Sequence, residues 1–486
     1  MKNSTKLFWL FLFAFSQVVC AQKKVQMITT TESAPWQTNH NIEVIKSPTK
    51  TDIAINKSNH LQTMEGFGTC FNELGWTSLK SLSDKDVTFI MKELFEPGYG
   101  ANFTICRMPI GANDFSQKWY SYNETEGDFL MKNFSISNDL ETLVPFIKNA
   151  LKYNNKIKLW ASPWSPPSWM KYNKHYAAKS LLGNSDLQSK EWGMDFRGIN
   201  NGLPVEREGK EGTDMFIQED QYFKSYALYF SKFIKAYKDQ GINIDMVMPQ
   251  NEFNSAQVFP SCTWTSSGLA KFIGEYLGPE MKKENVAVMF GTMERPSEAL
   301  IDTILKDPVA GKFIEGVGFQ WAGKGAIPGI HKRYPNLRLY QTEQECGNGD
   351  NDWKACKYSW NLLKHYINNG ANAYMYWNTS LKEGGISTWG WKQNSLVSVD
   401  TKNQTYKFNH EYYLMKHISH FVLPGAKLLQ TTGEFDNFLA FENPDKSLII
   451  IVQNDNSQER KISVKLNDTY YKITLQADSF NTIRIN

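Results

Sequence analysis

Ile244-Asp245-Met246-Val247-Met248-Pro249-Gln250-Asn251-Glu252-Phe253 is an apolar, β-favouring run that closes on a carboxylate. Leu337-Arg338-Leu339-Tyr340-Gln341-Thr342-Glu343-Gln344-Glu345 has the same form ninety residues on. A buried strand that ends in an acid is the pattern of a parallel α/β barrel, whose chemistry gathers at the carboxyl ends of its strands. Two acids facing one sugar-sized gap are the machinery of glycoside hydrolysis. Either stretch alone also reads as a helix cap or surface loop, so the rest of the chain has to decide.

Working outward, six more strand candidates flank these two. They are Gly66-Phe67-Gly68-Thr69-Cys70, Phe103 to Ile110, Ile157 to Trp164, Val286 to Gly291, Gly316 to Trp321 and Ala373 to Asn378. Helical patterns separate them. One starts at Ser83, a good N-cap, and others run from Leu140 to Tyr153 and from Gln221 to Lys238. Eight strands with helical spacers predict a (β/α)8 TIM barrel over residues 63–408. Residues 173–215 read as a polar, Gly-rich insertion that could shape a cleft.

Beyond a helix at His410 to Ser419 the period changes. Phe438-Leu439-Ala440-Phe441, Leu448 to Val452, Ile462 to Leu466, Tyr471 to Leu475 and Thr482 to Ile485 alternate as strands of an antiparallel β-sandwich over residues 409–486. Val25 to Ile28 and Ile42 to Ile45 fit no barrel repeat. They place residues 22–62 as an N-terminal β segment joining that sandwich.

Composition bounds the function. The chain has 486 residues, 41% apolar and 21% charged, as expected of a globular protein with a main and an accessory domain. Net charge is +3 with no basic stripe, which excludes a nucleic-acid partner. The 15 Trp and 22 Tyr serve mostly as core, yet flat rings also stack on sugar faces. Lys2 and Lys6, an apolar Leu7 to Phe15 and Val19-Cys20-Ala21 read as a signal peptide over residues 1–21. Its removal takes two lysines and no acid, so +3 becomes +1. A secreted or periplasmic protein is expected. Lipid anchoring through Cys20 is the weaker reading, because Val19 is bulky for such a site. No later stretch suits a transmembrane segment. Cys70, Cys106, Cys262, Cys346 and Cys356 remain, without metal-ligand spacing, so scattered buried thiols with at most one disulfide are expected and no metal or cofactor.

Taken in order, Gly66-Phe67-Gly68, Cys106-Arg107-Met108-Pro109, Asn113-Asp114-Phe115-Ser116, Ala161-Ser162-Pro163-Trp164, Asn251-Glu252, Thr342-Glu343 and Tyr376-Trp377-Asn378 resemble glycoside hydrolase family 30, the glucosylceramidase-like retaining β-glycosidases. The resemblance implies a barrel with a sandwich built from both chain ends. It implies that Glu252 is the general acid/base and Glu343 the nucleophile. It also implies that Asn251 bonds a sugar 2-hydroxyl, that Arg107 lies near Glu343, and that Asp114, Trp164, Trp321 and Trp377 line the sugar subsite. Structural roles stay open for these residues: an ion pair for Arg107, caps for Asn251 and Asp114, core packing for Trp164 and Trp377. Gly384 to Trp391, with Trp389, suits a further subsite or a packed lid. Phe253 stands where the family usually has Pro. Glu345 competes with Glu343, since strand alternation would point both the same way. The expected partner is a β-linked carbohydrate or glycolipid, cleaved at a β-glucosidic bond as by a β-glucosidase or β-1,6-glucanase. The alternatives are a β-xylosidase or β-fucosidase of the same family and a non-catalytic carbohydrate-binding protein on the same fold.

Overall fold

The computed structural model describes residues 25–46, 48, 50–182, 187–190 and 193–486. The expected signal peptide and Cys20 lie outside the described residues. Eight strands close a barrel in which every pairing is parallel: β1 Gly66–Cys70, β2 Ile105–Pro109, β3 Lys158–Ser162, β4 Met246–Val247, β5 Ala287–Met293, β6 Ile314–Gln320, β7 Arg338–Glu343 and β8 Ala373–Asn378. β8 pairs with β1 and β3 with β4, which completes the ring.

β4 is short as a ladder, but hydrogen bonds continue past its end. Met248 N donates to Ala161 O at 2.9 Å, and Asn251 N donates to Pro163 O at 2.7 Å. Pro249 has no N–H to offer, which limits the regular ladder here. The Gly66-Phe67-Gly68 opening follows from space: a Cβ on Gly68 would stand 1.6 Å from the Ile105 carbonyl oxygen, so β1 and β2 approach only with glycine there.

The Ser83 cap is present. Its hydroxyl accepts from Asp86 N, and the helix runs Asp84–Phe95. The helix expected from Leu140 to Tyr153 is instead two, Ser137–Glu141 and Leu143–Tyr153. Thr142 between them leaves helical backbone at φ −131°.

The second layer is a ten-stranded sheet. Val25–Thr31 pairs with the C-terminal Ser479–Ile485, and Ile42–Ile45 pairs with Thr469–Leu475. Ile53–Thr63 lies between Lys427–Thr432 and Arg460–Leu466. The sheet folds over a core of Met27, Ile53, Ile450, Val464, Ile473 and Ile483. Leu448–Asn454 is buried along its whole length. Alternation explains why: Ile450 and Val452 enter the sandwich interior, while Ile449 and Ile451 pack with the barrel core. Burying each such side chain is worth about 1.5–3 kcal/mol, so this strand welds the two layers together. The five described cysteines are all buried and unpaired.

Candidate active site

Arg107 points into the barrel from β2 and is wholly buried. Its Nη1 donates to Glu343 Oε2 at 2.8 Å, to Gln320 Oε1 at 3.3 Å and to the Thr342 carbonyl at 3.3 Å. Its Nη2 donates to Asn251 Oδ1 at 2.6 Å and to Ser162 Oγ at 3.0 Å. A buried guanidinium is costly unless its charge and donors are met, and here β3, the segment after β4, β6 and β7 supply partners to both Nη nitrogens. Trp164 and Trp377 stack on each other at 5.4 Å, and the guanidinium sits 4.2 Å and 5.4 Å from their ring centres. Both tryptophans are buried behind the charged group, not on the cavity wall.

Glu343 ends β7. Besides Arg107 it accepts from Trp321 Nε1 at 2.9 Å and from Gln320 Nε2 at 3.2 Å. Glu252 follows β4 with a left-handed backbone, φ +49°, a conformation non-glycine residues rarely hold unless the surroundings impose it. Thr292 supplies that grip from β5. Its hydroxyl accepts the Glu252 N–H at 2.9 Å and donates to Asn251 Oδ1 at 3.1 Å. Glu252 Oε1 accepts from the same Gln320 nitrogen at 3.0 Å. The Glu252 and Glu343 oxygens bound to that nitrogen are therefore no farther apart than the sum of the two contacts, 3.0 Å plus 3.2 Å, or 6.2 Å.

The two carboxyls differ in surroundings. Burial raises Glu252 well above the usual carboxylate range, and the charges of Glu294 and Glu343 push the same way. Burial also raises Glu343, but the Arg107 charge and hydrogen bonds from Trp321, Arg107 and Gln320 oppose it. When one proton is shared between them, Glu252 is the site that keeps it. Asp114, 4% exposed, is raised too, first by burial and then by the Glu343 charge.

A cavity of about 460 Å³ opens over this pair, lined by Asp114, Glu252, Glu343, Trp321, Trp391 and Tyr358 among others. Of the residues expected from sequence, Arg107, Asn251, Glu252, Glu343 and Trp321 form one bonded cluster, and Asp114 faces the same cavity. Trp389 is 4% exposed and packs against Trp119 at 4.6 Å, off the cavity, while its neighbour Trp391 lines it. Phe253 is buried against Phe290, with ring centres 4.9 Å apart, and leaves the cavity to Glu252. Glu345 reaches the cavity, but its carboxylate is taken by Lys324 at 2.6 Å and the Tyr358 hydroxyl at 2.7 Å. Sequence reading passed over Gln320 and Thr292. Each lies at the end of a barrel strand, and Gln320 directly precedes Trp321; that position was the available signal. Among the described residues no group of three or more His, Cys, Asp or Glu side chains is arranged to hold a metal ion, and no helix is long and apolar enough to cross a membrane.

Comparison with known proteins agrees with this geometry. Residues 64–196 and 206–422 match the glycosyl hydrolase family 30 TIM-barrel domain, and residues 425–483 match that family's β-sandwich domain. "Putative glucosylceramidase 1" of Caenorhabditis elegans is 28% identical over 458 residues, covering 89% of this chain and 79% of the relative. The crystal structure of SrfJ from Salmonella typhimurium superposes with TM-score 0.81 at 22% identity, over 95% of this chain and 99% of that one. The solved structure of an endo-β1,6-glucanase superposes with TM-score 0.77 at 25% identity, over the same shares. With both domain models matched across most of its length and an acid pair set over a barrel cavity, the chain belongs to glycosyl hydrolase family 30 and is a glycoside hydrolase.

Proposed function

We propose that this enzyme is an exported retaining β-glycosidase that cleaves β-glucosidic bonds, with Glu343 as nucleophile and Glu252 as general acid/base. The observation that carries this reading is the single Gln320 nitrogen bonded to both carboxylates, which bounds their bonded oxygens at 6.2 Å. Retaining enzymes hold their carboxyls about 5–5.5 Å apart and inverting ones about 6.5–9.5 Å, because the latter must admit a water.

In the first step Glu343 attacks the anomeric carbon as Glu252 gives its proton to the departing oxygen. In the second, Glu252 takes a proton from water, and the hydroxyl oxygen displaces Glu343 from the sugar. The product keeps the β configuration. Asn251 and Asp114 are assigned to sugar hydroxyls, and Trp321 to the sugar edge beside the nucleophile. Trp164, Trp377 and Trp389 act from behind this surface by holding Arg107 and the loop before Trp391. Relatives named glucosylceramidase and endo-β1,6-glucanase support a β-glucosyl unit at the centre. The start of the sequence supports export.

The test is azide capture with 2,4-dinitrophenyl β-glucoside. Glu343→Gly should yield α-glucosyl azide, because azide replaces the missing nucleophile. Glu252→Gly should yield β-glucosyl azide, because azide attacks the glycosyl-enzyme. Full activity of Glu343→Gly without azide would sink the assignment.

A further inference from the structure

Tyr358 is a large aromatic residue at the cavity that is 43% exposed, whereas the rings around Arg107 are buried. It stands in the first turns of the helix Trp353–Asn368 that follows β7. An exposed tyrosine on a helix surface usually swings freely, but this one is pinned. Its hydroxyl donates to Glu345 Oε2 at 2.7 Å, and Lys324 holds Glu345 Oε1 at 2.6 Å. Lys324 is itself tied to the Trp321 carbonyl at 3.2 Å, and its own carbonyl meets His365 Nε2 at 3.0 Å. The clamp thus joins the ring to the turn Trp321–Gly325, whose indole touches Glu343.

A fixed ring with an open face beside a sugar cavity is a stacking surface: sugar C–H faces are apolar, and a held ring pays little entropy on binding. The buried acids Asp114, Glu252 and Glu343 form the closed end of the cavity, and Tyr358, Lys324 and Arg295 its open rim. The unit next to the scissile bond on the leaving side must pass this rim. We infer that Tyr358, held by Glu345 and Lys324, is a platform for the sugar residue on the leaving-group side, so that the preferred substrate is an oligosaccharide or glucan rather than a glucoside with a small leaving group. The inference rests on the glycosidase reading above and specifies its substrate.

Two substrates separate the claims: a β-1,6-linked glucotriose, which places a sugar on the platform, and β-glucosyl fluoride, whose leaving group cannot reach it. Tyr358→Ala should lower kcat/KM on the trisaccharide about tenfold, with a loss on the fluoride several times smaller. Tyr358→Phe, which keeps the ring, should recover most of the difference. Equal losses on both substrates, or none on the trisaccharide, would overturn the platform. If the unaltered enzyme hydrolysed neither, the β-glucosidase assignment itself would fall, and the platform with it.

Discussion

Arg107 Nη1 lies 2.8 Å from Glu343 Oε2, with the arginine side chain fully buried and the glutamate 4% exposed. A pair this deep is not a surface ion pair of small worth. Removing one partner leaves an uncompensated buried charge, which costs about 3–5 kcal/mol. Arg107→Met is therefore expected to lower the unfolding free energy by about that amount, read by urea titration at neutral pH. It should also move the acidic limb of the kcat/KM profile to higher pH, because the charge that opposes protonation of Glu343 is gone. An unmoved limb would mean that Arg107 serves packing alone.

Gln320 bonds both acids, and its carbonyl oxygen accepts from Thr342 Oγ1 at 3.0 Å and from Arg107 Nη1 at 3.3 Å. Gln320→Leu removes the donor to both carboxylates at once. Kinetics should show kcat reduced by about 10²-fold, in the range lost when one positioned donor is removed, and KM changed much less. An altered KM with unchanged kcat would refute the positioning role.

The raised proton affinity of Glu252 has a stability consequence with a definite sign. Burial and the neighbouring Glu294 and Glu343 charges favour its neutral form in the folded state. The stabilisation this gives is fully present below the pH where an exposed carboxyl titrates, and it is lost as pH rises through the folded value. Glu252→Gln should thus melt higher than the parent at neutral pH, and the gap should close by about pH 4. A gap that is constant with pH would show that charge is not its source.

Glu411 offers the same test away from the cavity. It is fully buried, accepts from Asn394 Nδ2 at 2.7 Å, and burial pushes it up to about 7. A glutamine there can still accept that hydrogen bond. Near pH 4 Glu411→Gln should differ little from the parent, and by about pH 8 it should be more stable by about 3 kcal/mol, the gap opening as pH rises towards 7. A stability difference that stays constant from about pH 4 to pH 8 would contradict this.

Barrel strands and their acids were legible locally. Apolar runs ending in Asn251-Glu252 and Thr342-Glu343 carry their own signal, because a strand buried on both faces must be continuously apolar up to the point where it meets solvent. β8 falls at Ala373–Asn378 and the joining helix at His410–Ser419, as their patterns indicate. Ile53–Thr63 was not legible. Asn56, Lys57, Ser58, Asn59 and His60 give it a polar surface, and only its first residues, Ile53 and Ile55, enter the core. It is a strand because Lys427–Thr432 and Arg460–Leu466 supply its hydrogen bonds from the far end of the chain.

The same division runs through the site. The sequence by itself determined which carboxylates stand at strand ends, since residue type and period are local properties. It could not rank Glu345 against Glu343 on geometry, nor place Trp164 and Trp377 behind Arg107 rather than on the cavity wall. Those were decided by contacts between residues as far apart as Arg107 and Glu343, 236 positions along the chain. Only closure of the barrel sets such groups within hydrogen-bonding reach. There Lys324 and Tyr358 occupy Glu345, while Gln320 draws Glu252 and Glu343 to either side of one nitrogen.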